Sequence, residues 1–229
     1  MRRRALLAVV VAGASASISP PREDLWSLRG RRAVVTGGSK GLGRAIVDEL
    51  LRQGCDVITC ARDLTPLEPL LASEPRLTAV KADVATAVGR RELLDAVDER
   101  FVDNDSETGA DTGAILDLLV NNVGTNLRRA SVDYTDEEYA LLHETNQASA
   151  FHLSRMCFDA LRRAKGSVVC VSSVSGSTVD STGAPYHMNK AAMEHMTRCG
   201  APTRVSLLCR RRARATAPAL PRTNLGTGQ

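Results

Sequence analysis

The chain is poor in the patterns that build metal, disulfide and membrane-spanning sites. Its six cysteines (Cys55, Cys60, Cys157, Cys170, Cys199 and Cys209) include no C-x-x-C pair. Three of them, Cys55, Cys60 and Cys170, lie in apolar runs that read as strands, so the set is read as reduced core residues rather than a disulfide framework. His143, His152, His187 and His195 show no metal-ligand spacing among themselves or with cysteine, and no metal site is expected. The acidic, glycine-bearing run from Asp103 to Gly113 lacks the ligand spacing and closing glutamate of a calcium loop, and reads as a solvated surface insertion. No acidic residue follows Arg198, whereas six arginines do. Residues 1–198 therefore carry 24 basic against 26 acidic groups, and the formal charge of +4 does not point to nucleic acid as a partner. The apolar run from Ala5 to Ala14 is too short to span a bilayer. Set between Met1-Arg2-Arg3-Arg4 and Ser15-Ala16-Ser17, it reads as a secretory or organellar targeting segment; the alternative is a disordered tail on a cytoplasmic protein. With 229 residues there is room for one α/β domain with a substantial core, beginning near Leu25-Trp26 after Pro20-Pro21.

What is present is organised around one stretch. Ala33 to Val35 is an apolar, β-branched run that breaks at Thr36-Gly37-Gly38-Ser39-Lys40-Gly41-Leu42-Gly43 and opens into a helix with Ile46 and Leu50 on one face. A strand, a glycine turn and a helix N-terminus form an anion site, because free N–H groups and the helix dipole both face the turn. The spacing Gly37, Gly41, Gly43 departs from G-x-G-x-x-G and from the P-loop, so by itself a glycine-rich surface turn remains open. A second strand, Gly54 to Arg62, ends on Ala61 and Arg62 where an acid would select the ribose 2′-hydroxyl. Arg62, with Lys40 on the same side, points instead to a 2′-phosphate and hence to NADP(H). A third strand, Leu77 to Lys81, leads to Asp83 and Val84, and Arg90 to Val102 reads as a helix burying Leu93, Leu94 and Val97. The fourth strand, Ile115 to Val120, runs into Asn121-Asn122-Val123-Gly124. A long helix from Asp136 to Ala164 carries Asn146. A fifth strand, Ser167 to Val171, ends in Ser172-Ser173, and a last helix holds Tyr186 and Lys190.

Taken in order, these residues resemble the short-chain dehydrogenase/reductase family over roughly Leu28 to Arg198. Thr-Gly-Gly-Ser-Lys-Gly-Leu-Gly, Asn-Asn-Val-Gly-Thr-Asn and Asp-Tyr-Thr look most like its tropinone-reductase-like branch. The resemblance implies a doubly wound parallel sheet of the Rossmann kind, ordered 3-2-1-4-5. It implies a nicotinamide nucleotide held by Gly37, Ser39, Lys40, Gly41, Leu42, Gly43, Arg62, Asp83, Val84, Asn121, Gly124, Tyr186 and Lys190. The implied catalytic set is Asn146, Ser173, Tyr186 and Lys190. In that scheme Tyr186 protonates a carbonyl oxygen, Ser173 donates a hydrogen bond to it, and Asn146 holds a water that relays the proton with Lys190. Tyr186 and Lys190 lie one helical turn apart and so share a face. An ordinary phenol ionises near pH 10, and a neighbouring ammonium favours its ionised form. Small-molecule carbonyls or alcohols are the implied substrates, and homo-oligomers form in this family through the helices matching those of Asn146 and Tyr186. The rival reading is a catalytically silent nucleotide-binding remnant of the same family.

Past Arg198 the resemblance stops. Gly200 and Pro202 end the helix, and Arg210-Arg211-Arg212-Ala213-Arg214 and Pro218-Ala219-Leu220-Pro221 replace the further strand and turn that the family would supply. The expectation is a sheet without its carboxy-terminal strands, followed by a basic, disordered tail over 199–229. Such a tail is encoded when a GC-rich gene is read out of frame; a basic arm for nucleic acid or membrane is the alternative. With no sixth strand, Val168-Val169-Cys170-Val171 would become an exposed edge prone to pairing with other chains.

Overall fold

Alternating apolar runs and amphipathic segments build a parallel sheet with helices on both faces. The computed structural model describes residues 27–102, 113–179, 183–200 and 206–209; the run read as a targeting segment, nearly all of the acidic insertion and the expected tail beyond Cys209 lie outside them. In chain order the elements are β1 (Arg32–Thr36), α1 (Gly41–Arg52), β2 (Asp56–Ala61), α2 (Glu68–Ser73), β3 (Leu77–Lys81), α3 (Ala87–Arg100) and β4 (Leu118–Asn121). Next come α4 (Asp136–His143), α5 (Ser149–Met156), α6 (Phe158–Ala164), β5 (Ser167–Cys170), α7 (Ala184–Gly200) and β6 (Ser206–Cys209). The sheet order is β3-β2-β1-β4-β5-β6, with every neighbouring pair parallel. The order reverses between β1 and β4, and the crevice at the carboxy ends of those strands is where ligands bind in open sheets of this type.

Both faces of β1 are buried, as a parallel sheet covered on both sides requires. Val34 pairs with Ile58 and Leu119, and these side chains meet Leu93 and Val97 of α3, Leu153 of α5, Leu161 of α6 and Met193 of α7. On the other face Ala33, Val35, Val57 and Val120 pack with Val47, Leu50 and Leu51 of α1. Cys55, Cys60, Cys157 and Cys170 are buried in these cores. Burial pushes Cys60 up to about 11 and Cys157 up to about 12, so neither is a nucleophile at neutral pH.

Three expectations are corrected. A sixth strand exists: Ser206–Cys209 pairs parallel with β5, Val168 opposite Leu207 and Val169 opposite Leu208. β5 is therefore interior between β4 and β6, and its proposed exposure as an edge falls away. A four-residue run between Pro202 and the arginine cluster is too short to stand out by periodicity, and only its pairing partner reveals it. The helix expected from Arg90 starts earlier, at Ala87, because Thr86 caps it through Oγ1, which accepts from Gly89 N at 3.0 Å. The single helix expected over Asp136 to Ala164 is interrupted twice, by a π-helical turn at Glu144–Ala148 and by a break at Cys157. Among the described residues no helix is long and apolar enough to cross a membrane, and no group of His, Cys, Asp and Glu gathers as metal ligands.

Candidate active site

The turn between β1 and α1 is as tight as glycine allows. Gly37 and Gly41 have φ of +72° and +59°, and a Cβ on Gly43 would stand 2.1 Å from the Gly37 carbonyl oxygen. Lys40 precedes α1 with no side-chain cap, and the first turn of the helix carries no acid. Its leading N–H groups and positive dipole end thus face the crevice without a local anion. Asn122, to which sequence reasoning gave no separate role, ties this turn to β4. Its Nδ2 donates to the Thr36 carbonyl at 2.9 Å, while Thr36 Oγ1 accepts from the backbone N–H groups of Asn122 and Val123 at 2.9 and 3.1 Å. Its signal was its place in the Asn121-Asn122-Val123-Gly124 stretch that follows a buried strand.

At the ends of β2 and β3, Arg62, Lys40 and Lys81 are all exposed. Lys81 stands in register beside Ala61, one residue before Arg62. Asp63 is held below the ordinary carboxylate range chiefly by its hydrogen bonds from the Thr65 backbone and hydroxyl, with the charges of Lys81 and Lys40 adding to the effect. Its carboxylate is therefore engaged with Thr65, at 3.0 Å from that N–H, beside the cluster of cations. Asp83 accepts from Ala85 N at 3.0 Å through Oδ1, and buried Arg90 donates to the Val84 and Ala85 carbonyls, both at 2.9 Å. Arg90 is a second residue that the sequence did not single out; it braces the turn holding Asp83 and Val84. The side chain of Asn121 turns inward, donating to Ser154 Oγ on α5 at 3.2 Å, so any contact with a ligand in the crevice falls to its main chain.

Two of the remaining candidates, Asn146 and Lys190, meet at Gly124. A Cβ there would lie 2.9 Å from Asn146 Oδ1 and 3.2 Å from Lys190 Nζ. Asn146 sits fully buried in the π-helical turn; its Nδ2 donates to the carbonyls of Leu142 and Thr125 at 2.8 and 2.9 Å, and its Oδ1 accepts from Thr125 N at 3.0 Å. Each polar atom of the amide is engaged with main chain, so through its side chain Asn146 anchors the segment after β4 against the helices. Asn146→Ala is expected to cost about 2–4 kcal/mol in thermal or denaturant unfolding, because it removes three hydrogen bonds and leaves the half-buried Thr125 N–H and carbonyl without this partner.

Lys190 is 4% exposed, donates from Nζ to the Val171 carbonyl at 3.0 Å, and places that Nζ 5.7 Å from the centre of the Tyr186 ring. Ser173 caps the 3₁₀ turn Val174–Gly176, its Oγ accepting from Ser175 N at 3.2 Å. Accepting through oxygen leaves the hydroxyl proton for donation. The crevice thus combines an anion-attracting turn, a cluster of cations at the ends of β2 and β3, and a phenol beside a buried ammonium.

The family model described as short chain dehydrogenase matches residues 31–204. The chain belongs to that family. Within it the similarity is to the tropinone-reductase-like branch: two tropinone reductase homologs of Arabidopsis thaliana are 37% and 40% identical over 178 residues, 76% of this chain. A further homolog from the same plant, named as chloroplastic, is 38% identical over 80% of this chain. The chain spans 55–63% of the length of these relatives. Among solved structures, a short-chain dehydrogenase from Streptomyces avermitilis is 28% identical with a TM-score of 0.69, covering 79% of this chain and 63% of that one. An alcohol dehydrogenase from Thermococcus sibiricus, solved with 5-hydroxy-NADP, shares the fold at a TM-score of 0.70 and 23% identity, over 79% of this chain and 75% of that one.

Proposed function

We propose that this chain is an oxidoreductase that interconverts a ketone or aldehyde and the corresponding alcohol with NADP(H). The observation that carries the reading is Lys190, buried one turn below Tyr186 with its Nζ 5.7 Å from the phenol ring, at the carboxy edge of a sheet whose first turn is shaped for a pyrophosphate. The residues fit the cofactor: Gly37, Gly41 and Gly43 let a diphosphate approach the main chain, and Ser39 and Leu42 lie in the same turn. Lys40 and Arg62 face the place of a 2′-phosphate, while Asp83, Val84, Asn121 and Gly124 border the crevice. When bound, the nicotinamide supplies or accepts the hydride. The chain's own residues do the proton chemistry. In the reducing direction Tyr186 gives its hydroxyl proton to the carbonyl oxygen as charge develops there, and Ser173 donates a hydrogen bond to the same oxygen. Lys190 keeps a positive charge beside the phenol and so stabilises the phenolate left behind.

The exposed Tyr139, Leu141 and Phe151 on α4 and α5 support association of copies through these helices. The basic, then apolar amino terminus, together with the relative named as chloroplastic, supports organellar targeting. The test of function is NADPH consumption with a panel of small ketones and aldehydes, set beside direct NADPH binding. Turnover is expected. Binding without turnover would make the chain a silent nucleotide-binding member of the family, and loss of both would overturn the cofactor assignment as well.

A further inference from the structure

Behind the catalytic candidates lies a carboxylate that the proton chemistry does not use. Glu194 stands one helical turn beyond Lys190 on α7 and is 6% exposed, a rare position for an acid unless something holds it there. Ser172 Oγ donates to its Oε1 at 3.1 Å, closer than its other acceptor on the helix, the Lys190 carbonyl at 3.4 Å, and Arg198, a further turn along, brings Nη2 to 3.9 Å from Oε2. Ser172 immediately precedes Ser173 and follows Val171, whose carbonyl accepts from Lys190 Nζ. The turn after Ser173 closes flush on the helix: a Cβ on Gly176 would stand 2.6 Å from Glu194 Oε1 and 3.1 Å from the Lys190 carbonyl carbon.

We propose that Glu194 is a positioning residue for Ser173: by accepting from Ser172, its buried carboxylate fixes the Ser173-bearing turn against the helix that carries Tyr186 and Lys190. The inference rests on the reading above that Ser173 and Tyr186 address one substrate oxygen. Ser173 lies on a turn after β5 and Tyr186 on a separate helix, so their donors meet at one point only if turn and helix are locked together.

Amide hydrogen exchange on the full chain tests this without depending on turnover. Gly176 N donates to the Ser173 carbonyl and Ser177 N to the Val174 carbonyl, both at 3.0 Å, so their exchange reports the turn directly. Glu194→Leu, which keeps bulk and removes the acceptor, is expected to speed exchange at both amides about tenfold or more, with β1, β2 and NADPH affinity unchanged. Glu194→Gln, which retains Oε1, restores slow exchange. Ser172→Ala reproduces the loosening, and combining it with Glu194→Leu adds nothing further. In a chain that turns over, kcat falls about tenfold or more while KM for NADPH holds. Should Glu194→Leu not fold, Ser172→Ala and Gly176→Ala, which pushes the turn outward, decide in its place. Wild-type exchange in Glu194→Leu or in these substitutes overturns the proposal. Absence of turnover in the wild-type chain refutes the enzymatic reading instead and leaves the exchange result standing.

Discussion

Tyr186→Phe is expected to abolish carbonyl reduction while NADPH affinity stays within a few-fold of wild type. The substitution removes one oxygen and its proton and keeps the ring, so the packing of α7 against the turn after β5 survives. What is lost is a proton donor that acts only as negative charge builds on the substrate oxygen, and such a loss appears in kcat rather than in ground-state binding. Lys190→Ala is expected to behave differently. Its Nζ is buried, is bonded to the Val171 carbonyl and lies against Gly124 and the Tyr186 ring, so its removal unfastens the β5 end as well as discharging the site. Both kcat and cofactor affinity should fall. Steady-state kinetics beside equilibrium binding of NADPH separates the two patterns, and substantial turnover by Tyr186→Phe would assign the acid to another residue.

NADPH is expected to bind about tenfold or more tightly than NADH, a margin near 1.4 kcal/mol that one well-placed charged hydrogen bond supplies. Arg62 and Lys40 are exposed at the crevice, and Lys81 stands in register beside Ala61 on the neighbouring strand. Asp63 itself is taken up by Thr65, and that leaves the cations as the groups available to a 2′-phosphate. Arg62→Asp combined with Lys40→Ala should therefore erase or invert the preference, measured as the ratio of the two dissociation constants. Lys81→Ala should lower it by a smaller factor, since Lys81 stands on the strand beyond Arg62. An unchanged ratio in the double variant would refute the assignment of the 2′-phosphate site.

Much of this molecule follows from local rules that its sequence already obeys. Val34, Ile58, Leu119 and Val168 sit in apolar runs bounded by turns, so the strands and their burial on both faces were legible before any pairing was known. The Gly37–Gly43 turn and the four-residue step from Tyr186 to Lys190 are equally local, because a positive φ and a shared helix face are properties of neighbours in the chain. Tertiary structure decided what depends on residues far apart. β6 is too short to announce itself and exists by pairing with β5. The π-helical turn takes its purpose from Thr125, whose N–H and carbonyl both meet Asn146 from 21 residues away. Asn122, Arg90 and Glu194 read from sequence as ordinary polar residues, and they became braces only when folding buried them beside main-chain groups or hydroxyls in need of partners. A buried polar group is costly until it is paired, and its partner is chosen by packing rather than by neighbours in the chain. The spacing of motifs could thus name the family, while the residues that brace its crevice emerged only from the fold.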